Sequence, residues 1–201
     1  AGDMTTKQRN TLLESMTDEV AQLVLRDNYE QSQILSIQEL QGATGIDQHG
    51  AMMRDLERAG RLDRAIEFLP DDEALAQRLA QGKGLTRAEM AVLLAYSKMA
   101  LYDALLPSDL PDDKLLEADL VGYFPRQLGE KFRAEIGRHR LRREIIATVV
   151  TNAMINRVGS SFVSQLMGDT GRTAPDVARA YLVARQVLHL NRRWDAVEAL
   201  D

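Results

Sequence analysis

The sequence predicts an all-α protein, a multi-helix bundle of roughly eight to ten helices with no substantial sheet. Nearly every segment repeats its apolar residues at intervals of three and four, and no clear run alternates as a half-buried strand would. The chain has 201 residues, of which 45% are hydrophobic, and this is enough for a sizeable buried core. Helix-start signals recur along the chain and divide it into elements.

The N-terminal part is predicted to contain two helices. A first helix can begin after Thr5 or Thr6, and a long second one after Thr17, because each hydroxyl can accept a hydrogen bond from a free amide of the first turn. Gly42 and Gly45 are expected to break the second helix.

A domain boundary is predicted near these glycines. No internal repeat of fixed period and no Gly/Ser/Pro-rich linker divides the chain. The glycine-containing stretch 42–50 is therefore the most favoured position for a domain boundary. We therefore predict an N-terminal helical arm, residues 1–45, and a compact helical bundle, residues 46–201, with one continuous domain as the alternative.

The middle of the chain has the clearest start signal. Asp47 can cap a helix that runs to Gly60, and a helix over 71–82 carries acidic residues in its first turn, where they face the positive end of the dipole. Thr86 and Glu89 then form the S/T-x-x-E pattern of a capping box. The helix that follows, to about residue 106, is apolar on more than one face and should be central.

The C-terminal half is predicted to contain five more helices. Their predicted ranges are 115–121, 127–136, 141–167 as one long helix, 175–190 after the capping pair Thr173 and Asp176, and a last helix anchored by Trp194.

Composition excludes several classes of protein. There is no cysteine, which excludes disulfides, thiolate nucleophiles and cysteine-ligated metals, and is compatible with a cytoplasmic location. The longest apolar runs, such as AVLLAY at 91–96, are far shorter than the roughly 20 residues of a membrane span. The chain opens on Ala1 without a leader pattern, and we expect it to be a piece of a longer protein.

Catalytic motifs are absent from the sequence. His49, His139 and His189 are far apart and lack the helical i,i+4 pairing that metal sites often use. No G-x-G-x-x-G pattern and no nucleophile elbow occurs, and GKGLT at 82–86 lacks the spaced first glycine of a phosphate loop. We therefore predict no catalytic, cofactor-binding or metal residue in this chain.

A polar ladder is the feature that most needs explaining. Glu144, Thr148, Asn152 and Asn156 are spaced by four, with Arg157 beside them, inside an otherwise apolar segment. On a helix these side chains share one face. Apolar rows flank the stripe on both sides, so neighbouring helices are expected to cover it.

Three interpretations of the ladder remain open. Its side chains can hydrogen-bond to adjacent helices and hold their register, because an unpaired buried amide costs about 1 to 3 kcal/mol. They can contact a ligand or a second subunit, for example an amino-acid effector whose carboxylate Arg157 would hold. The stripe can also simply face water.

A local basic patch offers a different function. The net charge is −5, but the range 126–143 carries seven Lys and Arg residues against two acids. The stretch just before it, 109–119, is acidic, so the two blocks are expected to pair with each other or with solvent. Binding of an acidic protein partner or RNA through the 126–143 patch is the alternative, and nucleic acid is the less favoured of the two partners.

Long ordered phrases carry a family resemblance. They are MTDEVAQLVLRDNYEQSQ at 16–33, LERAGRLDRAIEFLP at 56–70, LTRAEMAVLLAYSKMALYDALLPSDLPDD at 85–113, HRLRREIIATVVTNAMINRVGSSFV at 139–163, Gly171 and AYLVAR at 180–185. Together they resemble the large bacterial NAD-specific glutamate dehydrogenases, in the helical part that follows the catalytic core. The resemblance covers nearly the whole chain.

The resemblance implies an oxidoreductase as the parent protein. Such a parent converts L-glutamate, NAD and water to 2-oxoglutarate, ammonium and NADH. The family's catalytic lysines and aspartate and its dinucleotide fold belong to a preceding region, and no position here matches those motifs. The resemblance therefore implies a non-catalytic segment with no cofactor of its own, which supports the catalytic core of a cytoplasmic homo-oligomer as a scaffold, a subunit contact or a regulatory region.

Overall fold

The computed structural model describes residues 4–200, and within them the protein is all-α, as predicted. Eleven α-helices are found there, eight of them with nine or more residues, together with three 3₁₀ turns. The α-helices are α1 Thr6–Gln41, α2 Ile46–Arg58, α3 Asp72–Ala80, α4 Arg87–Leu105, α5 Glu117–Gly122, α6 Arg126–Lys131, α7 Arg133–Gly137, α8 Arg142–Val158, α9 Phe162–Thr170, α10 Ala174–Val187 and α11 Leu190–Glu198. The 3₁₀ turns are Gly42–Gly45, Leu110–Asp112 and Lys114–Leu116.

Three helices start with the capping box that their sequence predicts or allows. Thr86 and Glu89 begin α4, and Thr173 and Asp176 begin α10, with each side chain satisfying the other residue's backbone amide. At α1 the hydroxyl of Thr5 plays this part with the amide side chain of Gln8. Asp71 caps α3 through the backbone amide of Ala74.

The prediction of two N-terminal helices is wrong, because α1 is one helix of 36 residues. Thr17 does not cap a new helix. Its hydroxyl donates to the carbonyl of Leu13, one turn back, at 3.2 Å, and a threonine bonded in this way can stay inside a helix. Asp47 likewise lies in the first turn of α2 and is not its cap.

The predicted long helix over 141–167 is divided at Gly159, which ends α8 with a φ of 86° and a ψ of 176°. Residues with a Cβ essentially never adopt this backbone conformation. The glycine therefore lets the chain turn before α9 begins. The predicted helix over 127–136 is also divided, at Phe132, into α6 and α7.

The core consists of two apolar clusters. The larger contains Ile34 of α1, the C-terminal half of α4, and buried side chains of α5, α8 and α10. The smaller is formed by α2, α3, the loops beside them and the first half of α4. Leu35 of α1 packs against both clusters, and α4 contributes buried side chains to both. The helices α1 and α4 therefore join the two clusters.

No helix in the range 4–200 is both long enough and apolar enough to cross a membrane.

Candidate functional site

The polar ladder lies on α8, beside a groove of about 1300 Å³. One wall of the groove is the middle of α1, and the opposite walls come from the 110–125 segment and from α10 and α11. Thr148, Asn152 and Arg157 line the groove from α8. Together the ladder and the groove make this side of α8 the candidate functional site.

Asn156 forms the buried end of the ladder. Its side chain is 2% exposed, and its Nδ2 donates to Oδ1 of Asp27 on α1 at 3.2 Å. Asp27 also accepts from Nε2 of Gln31 at 2.7 Å. Asn156 therefore joins α8 to α1, and this is the register contact that the first interpretation of the ladder predicts.

Arg157 is held by two carboxylates and one aromatic ring. Its guanidinium lies 3.1 Å from Glu30 on α1 and 2.7 Å from Glu198 on α11, and its Cζ lies 5.0 Å from the ring centroid of Trp194. A guanidinium paired on both sides and stacked on an indole has little capacity left for a ligand carboxylate. The geometry therefore gives no support to Arg157 as the anchor of an amino-acid effector.

Among the residues that the structure describes, the N-terminal part of the ladder makes no such contact with another helix. Glu144 is half-buried in the first turn of α8, and Thr148 donates to the carbonyl of Glu144 at 2.8 Å, within its own helix. Asn152 is half-buried and lines the groove, and its side chain has no hydrogen bond to any residue in the range 4–200. The ladder therefore divides into a local, groove-facing half and an interhelix half.

Lys98 adds a positive charge to the interhelix half. Burial lowers the pKa of this lysine below its ordinary value, and the nearby carboxylates of Asp27 and Glu30 oppose that shift. Two acids from α1 thus face Lys98 of α4 and Arg157 of α8. The opposite charges offset part of the cost of burying one another, and together they form a polar seam beside the larger apolar cluster.

A second buried polar cluster was not predicted from the sequence. Nε2 of Gln38 donates to Oγ of Ser160 at 2.9 Å and lies 3.1 Å from Nε2 of His49. All three side chains are at most 5% exposed. Burial lowers the pKa of His49 below its ordinary value, and a hydrogen bond to the backbone of Gly45 opposes this shift.

This cluster joins α1, α2 and the turn after α8. A sequence signal for it exists, because Gln38 follows Ile34 by four residues and His49 lies between Ile46 and Met53 on the apolar face of α2. A polar residue at a core position of a helix indicates a buried hydrogen-bond partner elsewhere in the fold.

The basic patch is partly neutralised by the acidic block that precedes it. Arg142 and Arg143 both contact Asp112, and Arg133 lies 3.3 Å from Glu117. Arg143 also donates to two backbone carbonyls, at 2.8 and 2.9 Å. The pairing of the two charge blocks therefore occurs as predicted, and the residues involved are less available to an acidic partner.

No group of three or more histidine and carboxylate side chains in the part of the chain that the structure describes could hold a metal ion.

Comparisons with known proteins give this site its context. Residues 82–201 match the family model described as glutamate dehydrogenase, C-terminal, and residues 1–38 match the one described as bacterial NAD-glutamate dehydrogenase, catalytic domain. The chain is 49% identical over 201 residues to the NAD-specific glutamate dehydrogenase of Pseudomonas aeruginosa. It is 46% identical over 200 residues to that of Halomonas elongata, and 35% identical over 201 residues to that of Mycobacterium tuberculosis.

The fold defines an all-helical bundle with two apolar clusters and a polar seam between α1 and α8. With the match over residues 82–201, the chain belongs to the glutamate dehydrogenase C-terminal family. The resemblance to the large bacterial NAD-specific enzymes is thereby confirmed. Each of the three relatives covers the whole of this chain, but the chain spans only 12% of the relative's length.

Proposed function

We propose that the chain is a non-catalytic helical region of an NAD-dependent glutamate dehydrogenase and that it supports the catalytic domain of that enzyme. The whole enzyme would convert L-glutamate, NAD and water to 2-oxoglutarate, ammonium and NADH. The observation that carries the proposal is the pair of family matches, since one chain joins a catalytic-domain segment, residues 1–38, to a C-terminal region, residues 82–201.

The arrangement of polar groups supports a structural role. Three ionic groups of the candidate site, Arg157, Glu30 and Asp27, make contacts between helices. Two further charged side chains that line the groove, Arg185 and Asp119, pair with each other at 2.9 Å. The proposal therefore places NAD and glutamate in the rest of the enzyme and none of their ligands in this chain.

The proposal has four further parts. The parent enzyme works in the cytoplasm and as a homo-oligomer, and residues 1–45 act as an arm that links the bundle, residues 46–201, to the catalytic domain. The ladder, with Asn156 and Arg157 at its buried end, keeps the arm and the bundle in register.

The test is a calorimetric titration of NADH, with and without glutamate, into the 201-residue chain. We expect no saturable heat, while the full-length enzyme, titrated in the same buffer as the positive control, binds NADH. Saturable binding of NADH by the chain alone would overturn the proposal, and the groove beside Asn152 would then be the first place to search for the nucleotide.

A further inference from the structure

One face of α1 is covered at two places and open between them. Near the N-terminal end Met16 is 6% exposed, and near the C-terminal end Ile34 is 3% exposed. Between them the same face carries Val20, Leu23 and Val24, whose exposed fractions are 44%, 41% and 56%. An apolar helical stripe indicates a packing surface, so this part of α1 is a contact face that no other element within residues 4–200 covers.

Apolar groups from other elements face the same open space. Leu115 and Tyr123 on the 110–125 segment and Val183 on α10 also line the groove, and all three are more than half exposed. Small-molecule pockets in proteins measure about 300 to 1,000 Å³, and this groove exceeds that range. A polypeptide segment, such as a helix about 10–12 Å across, fits such a space better than a small ligand does.

The family matches favour one occupant. The exposed stripe of α1 lies inside residues 1–38, which match the catalytic-domain model, whereas the far walls of the groove lie inside residues 82–201. A domain builds one core from the apolar faces of its elements. A helix whose sequence matches the catalytic-domain model and that leaves part of its apolar face open here is expected to have a packing partner in the rest of that domain.

We infer that an apolar segment of the catalytic domain fills this groove, packing between Val20, Leu23 and Val24 of α1 and the side chains of α10 and the 110–125 segment. The inference rests on the proposed function, because it takes the longer enzyme as the source of the occupant. It adds the surface through which the helical region contacts the catalytic domain.

The test is site-specific photo-crosslinking in the full-length enzyme. A benzophenone amino acid replaces Val24, and cross-linked peptides are identified by mass spectrometry. The matched control places the same amino acid at Ile66, which is 70% exposed but lies outside the groove, in the loop between α2 and α3. We expect Val24 to capture a peptide from the part of the catalytic domain that lies outside these 201 residues, and we expect Ile66 not to capture that peptide.

Three other outcomes would overturn the inference. A peptide from residues 4–200 of a second copy would make the groove a contact between copies of this region. A peptide from a different protein would make it a site for a separate partner. Absence of any cross-link from Val24 would mean that the groove stays open in the enzyme.

A substitution gives an independent measurement. Val24→Asp is expected to leave the urea midpoint of the 201-residue chain unchanged, because Val24 faces solvent there. In the full-length enzyme it should raise the hydrogen-exchange rate of the amides of α1 at least tenfold, because a carboxylate would be buried against the catalytic domain. An unchanged exchange rate contradicts the inference.

Failure of this inference is distinguishable from failure of the proposed function. Binding of NADH by the chain alone would remove the non-catalytic assignment without affecting the cross-link. An absent cross-link would leave the non-catalytic assignment in place and remove only the docking surface.

Discussion

At the scale of single residues, the spacing of the ladder correctly predicted that its side chains share one face of α8. It could not predict which of them contact another helix. Glu144, Thr148, Asn152 and Asn156 do share one face, yet only the last of them bonds to another helix. What separates Asn156 from Asn152 is the position of Asp27, which is 129 residues away in sequence from Asn156. Such a difference depends on tertiary packing, and periodicity along one helix cannot reveal it.

The two asparagines should therefore differ in their contribution to stability. Asn156→Leu is expected to lower the free energy of unfolding by about 1 to 3 kcal/mol, because Asp27 loses a buried donor. Asn152→Leu is the matched control and should change it by less than about 0.5 kcal/mol, because its side chain has no partner to lose within the described residues. Urea denaturation followed by circular dichroism measures both. Equal effects of the two substitutions would contradict the division of the ladder.

His49 makes the stability of the fold depend on pH. Its pKa is lowered in the folded chain from an ordinary value of 6.5, so below about pH 6.5 the unfolded state binds a proton that the folded state does not. Stability is therefore complete above the unfolded pKa and falls as the pH drops towards the folded pKa. The slope contributed by this one proton is at most about 1.4 kcal/mol per pH unit.

We expect His49→Gln to flatten this dependence between pH 7 and pH 5, in urea titrations repeated at each pH. The exposed His139, replaced in the same way, is the control and should leave the slope as it is. A slope that stays the same in His49→Gln would show that a different group binds the proton.

At the scale of elements, helix starts were predicted better than helix interruptions. The cap at Thr86 depends on residues three apart, so a short stretch of sequence contains the whole signal. The break at Gly159 uses a backbone conformation that is essentially confined to glycine, and a Cβ added there would lie 3.3 Å from the amide nitrogen of Gln38, which is distant in sequence. The continuity of α1 through Thr17 is missed for the opposite reason, because a good capping residue is tolerated inside a helix when its hydroxyl bonds one turn back.

Two glycines that end helices allow a test of how backbone conformation and crowding at a helix end affect stability. Gly159→Ala is expected to cost about 3 kcal/mol, because its backbone conformation is essentially confined to glycine and its Cβ would crowd Gln38. Gly171→Ala, at a φ of 66° with open space around the added carbon, should cost only about 1 kcal/mol. Thermal and urea unfolding of the two variants gives the comparison. A smaller loss at Gly159 than at Gly171 would argue against the crowding.

At the scale of the whole molecule, the two apolar clusters share α4. Met90 and Leu93 belong to the smaller cluster, and Leu101 and Leu105, further along the same helix, belong to the larger one. The all-α class was predictable because every segment repeats with a helical period. The existence of two clusters was not, because it depends on how α2 and α3 pack back onto α4.

Because both apolar clusters contain side chains of α4, we expect them to unfold together in a single transition. Met53 is fully buried in the smaller cluster, and Met53→Ala is expected to cost about 2 to 5 kcal/mol. Trp194, the only tryptophan, packs against the larger cluster and reports on it by fluorescence. The substitution should lower the urea midpoint seen by Trp194 fluorescence as much as the midpoint seen by circular dichroism. A fluorescence midpoint that does not move would indicate that the clusters unfold independently.

The length of α1 gives the molecule a mechanical property. Its 36 residues rise about 54 Å, and contacts with other elements are spread along it, from Met16, which is 6% exposed, through Asp27 and Glu30 to Ile34 and Gln38. A rod held at several points along its length acts as a splint. A displacement applied at one point of α1 is therefore shared among all of these contacts, and the elements that touch α1 move together with it.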